Sequence, residues 1–76
     1  MNDAELTSRI IRSQQVLWGW RAASPGSRVE TTLSMIAEEV DILGDLALDN
    51  PESAAKLDEL ANDWRRLAAR VKAAAH

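Results

Sequence analysis

Residues 27–49 read SRVETTLSMIAEEVDILGDLALD, and the spacing of apolar side chains in this stretch decides the fold. Val29, Leu33, Ile36, Val40, Leu43 and Ala47 alternate at steps of four and three residues, the stripe of a helix buried along one face for its whole length. Such a helix needs partners, and both flanking segments carry stripes of the same period. Leu6, Ile10, Leu17 and Trp20 share one face of the first segment, with Ser13 between Ile10 and Leu17, a small hydroxyl suited to a close helix approach. Leu57, Leu60, Ala61, Trp64, Leu67, Ala68 and Val71 form the stripe of the third. The pattern predicts an all-α, up-down-up antiparallel three-helix bundle, with helices over about residues 3–23, 28–49 and 51–73 in a single domain, 1–76.

The boundaries have local causes. Asn2 or Asp3 can cap the first helix. Ser24, Pro25, Gly26 and Ser27 break the chain, and Ser27 with Glu30 three residues on predicts a capping box for the second helix. Asp49 or Asn50 is the expected cap of the third, with Pro51 at its first position, where a missing N–H is harmless. Gly19, between Trp18 and Trp20, either costs helix propensity or permits a close backbone approach. Ala73 to His76 resembles an appended tail and carries no functional argument; His76, at the chain end, is read as neither catalyst nor ligand.

Composition narrows the chemistry. The 76-residue chain has no cysteine and no tyrosine, so disulfides, thiolate metal sites and thiol nucleophiles are excluded. No cofactor and no metal are expected, and an enzyme is not. The start MNDAELTSRIIRSQQ lacks a basic region followed by an apolar run, so no signal peptide is expected. No stretch is long and apolar enough to span a bilayer, which makes a cytoplasmic protein without membrane association the default expectation.

The net charge of −3 is unevenly spread. Residues 27–50 carry Arg28 against Glu30, Glu38, Glu39, Asp41, Asp45 and Asp49, a net −5, while the segments before and after are each +1. Glu38, Asp41, Asp45 and Asp49 compose an acidic face, which suggests one alternative function, an acidic inhibitor that imitates nucleic-acid phosphates and binds a basic partner. Glu38, Asp41 and Asp45 opposite Asp58, Glu59 and Asp63 suggest another, a Mg²⁺-dependent nucleotide hydrolase built on two adjacent helices. A solvated face is the plainer reading of both. A third alternative, a small DNA-binding protein, would rest on Arg9, Arg12, Arg65, Arg66, Arg70 and Lys72, but these alternate with acids and no recognition helix follows the SPGS turn.

The preferred reading comes from surplus apolar residues. Met35, Ile42 and Leu46 form a second stripe on the middle helix, while Ile11 and Trp18 lie off the main stripe of the first. They either flank a wide core or make an interface, and a chain this small gains from a partner subunit. The expectation is a protein–protein interaction or regulatory module acting as a homodimer, with Ile11, Trp18, Met35, Glu39, Ile42 and Leu46 at the interface. Glu39 is the obstacle, because an unpaired buried carboxylate is costly. It must reach solvent or an arginine, with Arg9 and Arg12 the nearest candidates.

Overall fold

A computed structural model describes residues 2–22 and 28–74, and in it the chain forms an elongated bundle of 40 × 18 × 16 Å. Helix α1 spans Asp3–Ala22 and α2 spans Val29–Asp49. A 3₁₀ turn over Pro51–Ser53 leads into α3, Ala54–Ala74. The three helices pack up-down-up, as the periodicity predicts. Among the described residues no helix is long and apolar enough to cross a membrane.

The ends follow local chemistry, with two departures from expectation. Asn2 caps α1: its Oδ1 accepts the Glu5 backbone N–H at 2.8 Å, and its Nδ2 donates to Glu5 Oε1 at 3.3 Å. Asn50 does not cap α3. Its backbone N–H and its Nδ2 both donate to the Leu46 carbonyl at 2.9 Å, which closes α2 instead. With that side chain turned back, the proline-led turn tightens into 3₁₀ geometry and α3 proper starts at Ala54, three residues later than predicted. The Ser24–Ser27 turn and Ser27 of the expected capping box lie outside the described residues. Arg28, at the head of α2, makes no side-chain cap.

The core joins Leu6, Ile10 and Leu17 of α1, Ile36 and Leu43 of α2, and Leu57, Leu60, Ala61, Trp64, Leu67 and Val71 of α3. The predicted stripes of α1 and α3 are the buried ones, with Trp20 half-buried against the cluster. Helix α2 is turned relative to its predicted stripe. Its most buried positions are Thr32, Ile36 and Leu43, whereas Val29, Leu33, Val40 and Ala47 are only half-buried. At 100° per residue this is a rotation of roughly 40° toward α1. It draws Leu46 against the core too, so that residue flanks the interior and leaves the outer stripe.

One polar chain crosses the interior. Trp64 Nε1–H of α3 donates to Ser13 Oγ of α1 at 2.9 Å, and the Ser13 hydroxyl donates to Glu39 Oε2 of α2 at 3.2 Å. Arg9 of α1 completes it by donating to Glu39 Oε1. The carboxylate is thus paired within the chain, by one of the two arginines named as candidates. A cation and a hydroxyl both satisfy it, so its partial burial costs little.

Thr32 is the exception to this satisfaction. The residue is 1% exposed and its Oγ1 has no hydrogen-bond partner among the described residues. Thr32→Val replaces that hydroxyl with a methyl of similar size, and a gain of about 1 kcal/mol is expected, raising the melting temperature by about 4–8 °C. A lower melting temperature would show that the hydroxyl is bonded in the folded protein.

Candidate interaction groove

Helices α2 and α3 run in close backbone contact, but no Cα of α1 comes within 8 Å of a Cα of α2 among the described residues. Across the α1–α2 gap the contact is made by long polar side chains, with Arg9 and Ser13 of α1 both donating to Glu39 of α2. The wider gap leaves a groove of about 200 Å³. Val16 and Trp20 form its α1 wall, Met35 and Ile42 its α2 wall, and Ile36 and Trp64 lie at its base. Val16, Met35 and Ile42 are 41%, 43% and 39% exposed, so three large apolar side chains surround one opening.

The expected interface residues divide between two surfaces. Met35, Ile42 and Glu39 line the groove, Glu39 at its edge with both carboxylate oxygens already bonded. Leu46 packs inward. Ile11 and Trp18 are 47% and 57% exposed but project about 140–160° away from Val16 around α1, onto the outer face of that helix. They do not adjoin the groove. Val16 was missed because it lies off the α1 stripe, and its only signal was a bulky apolar residue one turn before Trp20.

The acidic face also divides. Glu38 borders the groove, while Asp41 lines a hollow on the α2–α3 side together with Arg65 and Lys72. Asp45 and Asp49 are exposed. Asp63 pairs with Arg66 at 2.9 Å on the surface of α3. Among the described residues no three acidic or histidine side chains are grouped so that they could hold a metal ion. Gly19 can also be placed: a Cβ built there meets nothing within 4 Å, so it serves no close helix approach inside the bundle.

No protein-family model, curated protein or solved structure matches this chain.

Proposed function

We propose that the protein is a protein–protein interaction module that acts by binding, without catalysis, and associates with a second copy of itself through the α1–α2 groove. The observation that carries this reading is the clustering of Val16, Met35 and Ile42, each about 40% exposed, around one concavity. Scattered surface aliphatics are ordinary, but a contiguous set lining a groove marks a contact surface. A twofold axis lets one groove meet its own copy, so each residue contributes twice.

Charge favours a copy as the occupant. Arg12 lies one turn before Val16 on the same side of α1, and Glu38 lies between Met35 and Ile42 on α2. The two walls thus carry opposite charges. Setting the α1 wall of one subunit against the α2 wall of the other pairs Arg12 with Glu38 twice. Such rim pairs steer register more than they add affinity. A cytoplasmic setting belongs to the same reading.

Ile42→Asp tests the assignment. It places a charge in the groove at a residue that is 39% exposed in the single chain, so far-UV circular dichroism should stay helical while the mass falls from dimer to monomer. Loss of helicity in a concentration-independent melt would instead place Ile42 in the intramolecular core.

A further inference from the structure

The chain has two methionines and no cysteine, so toward hydroperoxides thioether sulfur is its most readily oxidised group. Met1 lies outside the described residues. Met35 stands on the α2 wall of the groove and is 43% exposed, so its sulfur is open to a reagent in the single chain. The other two exposed apolar side chains around the opening, Val16 and Ile42, are aliphatic and inert to such reagents.

Oxidation to the sulfoxide turns a flexible apolar side chain into a polar one whose oxygen accepts hydrogen bonds. On the open wall of a single chain water supplies those bonds, and the fold is indifferent to the change. In the pair the same oxygen faces Val16 and Trp20 on the α1 wall of the second copy. The charged groups around the groove do not relieve it. Glu38 and Glu39 accept and do not donate, Arg12 is taken up by Glu38 in the paired arrangement, and the Trp64 indole N–H is committed to Ser13.

We propose that Met35 is a modification site, an oxidation-sensitive switch of self-association whose reagent is a hydroperoxide. The switch rests on the reading of the groove as the self-association surface. The sulfur lone pair attacks one peroxide oxygen, and the S–O bond forms as the O–O bond breaks. The proton of the transferred oxygen passes to the departing hydroxide, which leaves as water. Sulfur is oxidised by two electrons and the peroxide is reduced by two. A thiol-dependent sulfoxide reductase reverses the step, with the oxygen leaving as water and two thiols becoming a disulfide. Twofold symmetry places both copies of Met35 at the contact, so the effect counts twice. At about tenfold for each unsatisfied oxygen, the dissociation constant rises about a hundredfold. Linkage makes the converse hold: pairing shields Met35, and the reaction runs through the dissociated chain.

The native protein, at a concentration where light scattering gives the mass of a pair, is treated with excess hydrogen peroxide. Mass and oxygen uptake are followed together, the latter assigned to residues by peptide mass spectrometry. Gain of oxygen at Met35 should lower the mass toward one chain while far-UV circular dichroism stays helical. At equal peroxide, Met35 should oxidise more slowly in concentrated protein than in dilute. Met35→Leu, close in volume, should pair and keep its mass in peroxide although Met1 is still oxidised. Met35→Gln should stay at the mass of one chain without peroxide. A native protein already at that mass before treatment would remove the groove reading and the switch with it. A pair that keeps its mass with Met35 fully oxidised would overturn the switch alone and leave the groove reading in place. A Met35→Leu variant that dissociates in peroxide as the native protein does would overturn the assignment to Met35.

Discussion

Leu57→Asp is expected to leave the chain unfolded, with the helical circular dichroism lost at every protein concentration. Leu57 is 0% exposed at the contact between α3 and the rest of the core. Truncating a buried leucine costs about 2–5 kcal/mol, and a carboxylate with no partner in an apolar interior costs several more. Natural domains are stable by about 0.05–0.15 kcal/mol per residue, which for this chain is about 4–11 kcal/mol in total. The substitution therefore removes most or all of the margin. The contrast with Ile42→Asp is the informative part, because the same charge is introduced on α2 at a groove wall. If the two variants behave alike, the division between core and groove is wrong.

The second large effect is expected at a polar residue. Ser13→Val should lower stability by at least about 2 kcal/mol, seen as a fall of about 8–16 °C in melting temperature. Ser13 is 1% exposed and is the only link between the Trp64 indole and Glu39 among the described residues. Valine leaves the indole N–H without an acceptor, at about 1–3 kcal/mol, and adds bulk at a fully buried position, at about 1–3 kcal/mol more. Ser13→Ala separates the two costs, since it removes the hydroxyl without adding volume and should fall between valine and the native protein. Ser13→Val melting with the native protein would show that the chain from Trp64 to Arg9 contributes nothing to holding α1 in place.

Helix number, order and packing were legible because the apolar periods of α1 and α3 are unambiguous and the breaks at Pro25 and Pro51 are short. The facing of α2 was not, for a reason visible in its residues. A stripe drawn through apolar positions runs 29, 33, 36, 40, 43 and 47, but the inward line runs through Thr32 and Glu39, which read as polar in sequence. The burial of Glu39 depends on partners from another helix, Arg9 and Ser13, about thirty and twenty-six positions away, and Thr32 is buried with its hydroxyl unpartnered among the described residues. Asn50 misled for a similar cause, since one side chain can cap the helix before it or the helix after it. The pairing of Glu39 with an arginine of α1 could be anticipated from charge alone. The groove could not, because it arises from the spacing between α1 and α2, and no single-helix pattern encodes a distance between two helices.

The most direct test of self-association is the mass of the native protein in solution, measured by multi-angle light scattering over a dilution series from high to low micromolar concentration. A twofold assembly predicts about twice the 8.4 kDa chain mass at the upper end, declining toward a single chain on dilution, with Ile42→Asp at the single-chain value throughout. A native protein that stays at the mass of one chain across the whole series would contradict it.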